Sequence, residues 1–514
     1  MNAIRIENRA SPAPGARAAV WPLVSRFFAD YRRNPVNLLL LVLVPVAFVV
    51  VASGSLAEAA TLLGGPGGPA VEVNTAGWAA GFLAGVGMYF QVAAAREADR
   101  RLVLAGLPAC RLVTARLATG LALGVLAAAA ALLALAARTG IDEPGRAVAG
   151  TLMFAVIYLA IGAVVGARVR DAVNGTVLIL FVWILDVFFG PTLDSPDRVA
   201  TRGLPTHFVS LYMVDLPSRH GGRIGDLGWA LSWTGAALVV AFAVLTATIR
   251  IGAGHRRRTA VPDSLADQVA AGLRLGARGM RRNPVLWALL AVVPAVFILL
   301  SDAITPDRPT QLQVVEGGRT LTRTVSLMDI HAGTMAPIAV ASLAALVGLF
   351  AVLDSQNGDR RLALAGYRRG RLLTVRLGLV AGAALFATAV SLAVTALVFQ
   401  PDQPITYAAA NLLTALTYAL IGVLIGPVFG RVAGVFVAFL VPFLDVGIGQ
   451  SPMLRDQPAA WAHATPGYGA GRMLIDGALT AGFDTVGPLL LALGWIAGLT
   501  ALAALVFRRS TGPT

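Results

Sequence analysis

Asp99-Arg100-Arg101-Leu102, followed by Gly106, Arg111, Thr114 and Arg116, recurs as Asp359-Arg360-Arg361-Leu362, followed by Gly366, Arg371, Thr374 and Arg376. Each residue lies 260 positions from its counterpart, and both stretches sit between long apolar runs. A charged segment kept twice at one offset marks an internal duplication, which sets the architecture of the whole chain.

Working outward, the duplication extends over most of the sequence. Arg32-Arg33-Asn34-Pro35 and Pro45 recur 249 positions on as Arg281-Arg282-Asn283-Pro284 and Pro294. Tyr158, Ile161, Gly162 and Gly166 recur as Tyr418, Ile421, Gly422 and Gly426. Leu185-Asp186-Val187 recurs as Leu444-Asp445-Val446, and Pro205 and Asp215 as Pro466 and Asp476. The predicted organisation is a first repeat over 1–252, a basic connection over 253–263 containing Arg256-Arg257-Arg258, and a second repeat over 264–514.

Composition decides the solvent of these repeats. Hydrophobic residues make up 57% of the chain, charged residues 13%, and the mean hydropathy is +0.74. Soluble domains carry about 25% charged residues. The apolar runs are continuous rather than alternating, which points to membrane-spanning helices and away from a β-barrel. The expected fold is all-α and polytopic: twelve transmembrane helices as two parallel six-helix repeats. Spans are predicted near 36–54, 74–95, 113–137, 148–167, 173–190 and 227–249, then near 285–301, 334–354, 375–399, 406–427, 430–448 and 486–507. The apolar run from Val36 could pass for a leader peptide, but its counterpart from Val285 is internal, so both are read as spans.

Arginine supplies the orientation. All 41 basic residues are arginine, and 30 of them fall in the segments that lie on one side if both termini are cytoplasmic. That asymmetry predicts cytoplasmic termini. All-arginine usage with abundant Ala and Gly suggests a GC-rich bacterial gene and hence a multi-pass protein of the bacterial plasma membrane. With no lysine, the chain cannot form a P-loop, whose Lys reaches the β- and γ-phosphates. Cys110 is the only cysteine, so no intramolecular disulfide can form, and the five histidines show no metal-ligand spacing. No metal site and no catalytic centre are expected. Nucleic-acid binding is not expected either, because the basic residues form no soluble domain.

Four local features complete each repeat. An amphipathic stretch, Trp21 to Arg33 and about 264–282, precedes the first span and reads as a helix lying in the interface. The charged segment between spans two and three, near 96–112 and 356–372, reads as a separate short helix stopped by Gly and, in the first copy, Pro. A long connection after span five carries apolar pieces, 208–214 and 473–475, that read as short helices dipping back into the membrane face. In the second copy only, Gln311 to Leu321 reads as a hairpin turning at Glu316-Gly317-Gly318.

These features in this order resemble the type 2 ABC exporter permeases, in the fused double-length form of actinobacterial antibiotic and multidrug exporters of the tetronasin-resistance kind. The resemblance implies a permease for hydrophobic or amphipathic compounds, not itself an ATPase. ATP and Mg²⁺ would then bind to two copies of a separate cytoplasmic ABC ATPase. It implies that Asp99, Arg100, Arg101, Asp359, Arg360 and Arg361 belong to coupling helices that receive the ATPase stroke. It also implies a path between the repeats. Pro45, Tyr89, Phe90, Phe181, Asp186, Pro294, Phe350, Phe439 and Asp445 are candidates for that path or its gate. The alternative is a proton-coupled major-facilitator transporter, which also has twelve spans in two halves. Here Leu-x-Leu-Ala, rather than Gly and basic residues, follows Asp-Arg-Arg.

Overall fold

The computed structural model describes residues 20–32, 35–193, 199–216, 220–250, 273–274, 276–278, 280–364, 369–455 and 457–510. The basic connection at 253–263 lies outside the described residues, as does most of the second amphipathic stretch. Among them, ten helices are long and apolar enough to cross a membrane. The protein is therefore an all-α polytopic membrane protein.

The first half opens with α1, Val20–Arg32, on which Trp21 is exposed while Val24 and Phe27 are buried. It continues through α2 (Pro35–Leu63), α3 (Gly68–Leu104), α4 (Ala109–Arg138), α5 (Pro144–Arg168), α6 (Ala172–Phe188), the short α7 (His207–Val214) and α8 (Gly222–Arg250). The second half runs through α9 (Pro284–Ile304), a β1–β2 hairpin (Pro309–Glu316 and Arg319–Ser326), α10 (Leu327–Leu353), α11 (Gln356–Leu364), α12 (Arg369–Thr395), α13 (Pro404–Pro442), α14 (Gly467–Leu479) and α15 (Val486–Ser510). Proline starts α2, α5, α9 and α13, where its missing N–H costs nothing and its fixed φ suits the first turn. Asn283 and Asp171 cap their helices by accepting from the backbone N–H groups of Leu286 and Asn174.

Ten long helices replace the twelve predicted spans for two local reasons. Helix α6 has only 17 residues, short of the roughly 20 that span hydrocarbon. Helix α13 runs continuously through the windows predicted as spans four and five of the second copy, broken only at Gly430 (φ 68°, ψ −162°). The predicted separate helix between spans two and three also needs correcting. In the second half it exists as α11, set off from α10 by a turn at Asp354-Ser355. In the first half α3 continues without interruption for 37 residues, and Asp99-Arg100-Arg101 lie on its last turns. The Gly/Pro stop acts as predicted there: Gly106 adopts φ 98° and Pro108 precedes α4.

The hairpin pairs Glu316 with Arg319 across Gly317 and Gly318, both at positive φ. That is the geometry a two-residue primed turn requires. The predicted re-entrant pieces are α7 and α14, both largely buried.

Helices α3 and α10 form the centre of each half, with 83% of their apolar windows buried. Helices α8 and α15 lie outermost, with 17% buried and apolar residues such as Val239 and Leu490 exposed, as a lipid-facing surface requires. Small residues bring α5 onto α3. A Cβ on Gly162 would lie 1.9 Å from the carbonyl oxygen of Gly85, and one on Gly422 would lie 2.0 Å from that of Ala345. The duplicated glycines are thus points of direct backbone approach between helices. The halves meet reciprocally: α2 packs on α13 of the other half, and α9 packs on α6.

Candidate functional site

Each half carries the same ion pair at the charged corner between its second and third spans. Asp99 accepts from Arg116, 2.6 Å from Nη2 and 3.0 Å from Nε. Asp359 accepts from Arg376, 2.8 Å from Nη2 and 3.3 Å from Nε. The carboxylates are 5% and 1% exposed. Two-pronged guanidinium–carboxylate bonds fix orientation as well as distance, so each pair ties the segment after span two to the start of span three. In the first half the Arg116 guanidinium also lies 3.7 Å from the centre of the Phe27 ring, which joins α1 to the same corner.

The other four residues of the predicted coupling set behave differently. Arg101, Arg360 and Arg361 are exposed and Arg100 is half-buried. Beside them Leu102 and Leu104 are exposed. The duplicated motif therefore splits into a buried acid that holds the corner and basic residues that present a surface.

At the opposite ends of the spans, Asp186 and Asp445 hold the segments that carry α7 and α14. The Tyr158 hydroxyl donates to Asp186 Oδ2 at 2.8 Å, and Thr206 donates to the same carboxylate from both its hydroxyl and its backbone N–H. In the second half Tyr418, the Thr465 hydroxyl and the Gly467 N–H make the equivalent bonds to Asp445, with Gln450 as a further donor. The sequence reading left open whether these acids face water. Both are 3% exposed and fully engaged by neutral donors, so each is the knot that joins span four, span five and the loop beyond. Tyrosine and aspartate were visible as repeated residues. The threonine was not, because Pro205-Thr206 is reversed to Thr465-Pro466 in the second copy.

Nearby on that face Arg223 pairs with Asp215 at 2.5 Å and with Glu143 at 3.5 Å. The Arg223 hydrogen bond holds the Asp215 carboxyl below the usual carboxylate range, with the nearby Arg146 charge adding to it.

The interface between halves is an aromatic seam. Phe90 stacks on Phe350, its own counterpart 260 positions away, at 6.3 Å between ring centres. Two equivalent residues can touch only where the pseudo-two-fold axis passes between them. Phe439 meets Phe82 at 5.3 Å, Trp183 at 5.2 Å and Phe443 at 5.6 Å. Phe48 and Phe297, 249 positions apart, flank the buried Pro45 and Pro294 and join the same seam through Phe443 and Phe188. Two cavities in the seam are small, about 20 Å³ beside Val293 and Phe297 and about 10 Å³ beside Val44 and Phe48, each with little more than room for one water.

Of the predicted path residues, Phe90, Phe350 and Phe439 lie in this core, Phe181 packs partly buried against it, and Pro45 and Pro294 are buried three residues before Phe48 and Phe297. Tyr89 packs edge-on against Phe90 at 4.9 Å between ring centres. It is fully buried and donates to the Asp171 carbonyl at 2.9 Å, tying α3 to the start of α6. Sequence reasoning missed Phe82, Trp183, Phe436 and Phe443. Among these, no counterpart is aromatic in the other copy, so the repeat did not mark them.

Among the described residues, no group of three or more His, Cys, Asp or Glu side chains is placed to hold a metal ion. No curated protein matches the chain. Residues 78–249, from within α3 to the last turn of α8, match the family described as ABC-2 family transporter protein, so about a third of the chain is similar to that family.

Proposed function

We propose that this chain is a fused double permease that exports hydrophobic or amphipathic compounds, powered by two copies of a separate cytoplasmic ABC ATPase. The observation that carries this reading is the repeated corner: one buried two-pronged Asp–Arg pair in each half, with arginines exposed beside it. A rigid corner transmits force from a docked partner into spans two and three, and two pseudo-equivalent corners suit a two-fold ATPase. The ABC-2 match over the first half, and its counterpart residues in the second, support one permease unit in each half. On this reading α6 and the two parts of α13 around Gly430 complete twelve spans, and both termini lie in the cytoplasm. The seam of α2, α3, α6, α9, α10 and α13 is the path. Its apolar lining suits drug-like efflux substrates better than small ions.

The experiment is co-purification with the ATPase encoded beside it, followed by ATPase and efflux measurements in proteoliposomes. Reversing charge at both Arg100 and Arg360 is expected to lower substrate-stimulated ATPase activity and transport while insertion is retained. Proton-coupled flux with no associated ATPase would overturn the reading in favour of a facilitator.

A further inference from the structure

A cavity outside the seam holds about 340 Å³ and lies in the second half, beneath the β1–β2 hairpin and beside α14. By the orientation proposed above it opens at the outer face. A volume of this size is in the range that holds a small ligand.

The walls are fastened by internal bonds. Gln457 donates to Gln313 of the hairpin at 2.6 Å, and the Gly317 N–H donates to Asp484 at 2.7 Å, so the hairpin is pinned on both sides of the opening. Asp476 accepts from the Thr480 hydroxyl at 2.6 Å, the Thr485 hydroxyl at 2.7 Å and the Asp484 N–H at 3.1 Å. The acids in the wall are thus occupied in building it.

Three donors in the wall are not occupied. Arg472, Tyr468 and His463 all line the cavity, and the Arg472 side chain has no hydrogen bond or ion pair among the described residues. It is partly buried, and although Asp476 follows one helical turn later, no pair forms within 4.0 Å. The Tyr468 ring packs against the His463 ring at 4.8 Å, which places two further donor-bearing rings side by side.

Among the described residues, the first half lacks the hairpin and the arginine. Its α2–α3 connection is a turn at 64–67 without a hairpin, and the residues matching Arg472 and Tyr468 at the offset of Pro205 and Pro466 are Leu211 and His207, both fully buried. The hairpin and the unpaired arginine occur together, in one half only.

We propose that this cavity binds an oxyanion group, a phosphate or carboxylate, with Arg472 as its charged anchor and Tyr468 and His463 as supporting donors. Pro488, at the start of the lipid-facing α15, lines the same cavity, so an outer-leaflet phospholipid headgroup can reach it from the side. A free oxyanion would enter from water. The proposal concerns binding and does not require that the chain transports anything.

The full-length protein, purified in a neutral detergent, is titrated with short-chain phosphatidylglycerol in calorimetry, with inorganic phosphate as competitor. Arg472→Gln is expected to weaken binding about tenfold or more, as loss of one charge-assisted hydrogen bond implies. Tyr468→Phe is expected to weaken it by a smaller factor. Binding that inorganic phosphate does not displace assigns the site to a lipid headgroup, and displacement by phosphate assigns it to a free oxyanion. Failure of both phosphatidylglycerol and inorganic phosphate, each titrated alone, to bind, or equal binding of either to wild type and Arg472→Gln, overturns the proposal. If Arg472→Gln lowers the unfolding temperature, Arg472→Lys and Tyr468→Phe are read in its place, and unchanged affinity in both overturns it.

Discussion

Arg376 holds Asp359 through two hydrogen bonds, and Arg116 holds Asp99 in the same way 260 positions earlier, although one aspartate lies on a separate short helix and the other on the end of a long one. The pair is kept while the helix around it differs. The ion pair, rather than the separate coupling helix, is therefore the part of the corner common to both halves.

Removing one partner of such a pair leaves a buried charge uncompensated. Asp99→Ala is expected to destabilise the protein by roughly 3 kcal/mol, and Asp99→Ala with Arg116→Ala by clearly less. Thermal unfolding in detergent of the two single variants and the double variant closes the cycle. Additive losses would show that the two residues do not act as a pair.

Asparagine at position 186 or 445 would turn an amide N–H₂ toward groups that already donate. Each substitution is expected to cost about 1–3 kcal/mol and to loosen the attached segment, 199–216 or 457–479. Tyr158→Phe, which deletes one donor only, is expected to cost about 1 kcal/mol. Limited proteolysis of each segment provides the readout. Unchanged cleavage in both Asp→Asn variants would separate these acids from loop anchoring.

Glycine is required at the α3–α5 and α10–α13 crossings because a Cβ there would overlap a backbone carbonyl that cannot rotate away. Gly162→Ala and Gly422→Ala are each expected to lose more than about 2 kcal/mol, as overpacking against backbone does. Gly87→Ala meets nothing within 4 Å and serves as the neutral control on α3. Equal melting temperatures across all three variants would refute the close approach.

Gly430 holds φ 68° with ψ −162°, a region open to glycine almost alone. Gly430→Ala is expected to destabilise by about 1–3 kcal/mol, although a Cβ there would meet no neighbouring atom. Because the cost is conformational, Gly430→Asn should recover little of it. A melting temperature equal to wild type in Gly430→Ala would mean that the chain relaxes into a continuous helix.

Much of this protein is set by sequence alone, because lipid leaves the backbone few options. Long apolar runs must become helices, the offsets of 249 to 261 residues locate the duplication and the segments that carry α7 and α14, and Glu316-Gly317-Gly318 marks the hairpin turn without a counterpart. The same offsets singled out Asp99, Arg116, Tyr158, Asp186 and Gly162, each of which makes a contact reproduced in the other half. What sequence could not supply is which groups meet. Arg100 and Asp99 are neighbours in the motif, yet one is half-buried and the other is enclosed by an arginine 17 residues on. Phe82, Trp183 and Phe443 have no aromatic counterparts and become a seam only where the halves press together. The continuity of α3 through the predicted coupling segment, and of α13 through Gly430, was equally hidden. Charge and glycine mark a boundary in sequence, but packing against neighbouring helices decides whether the chain turns there.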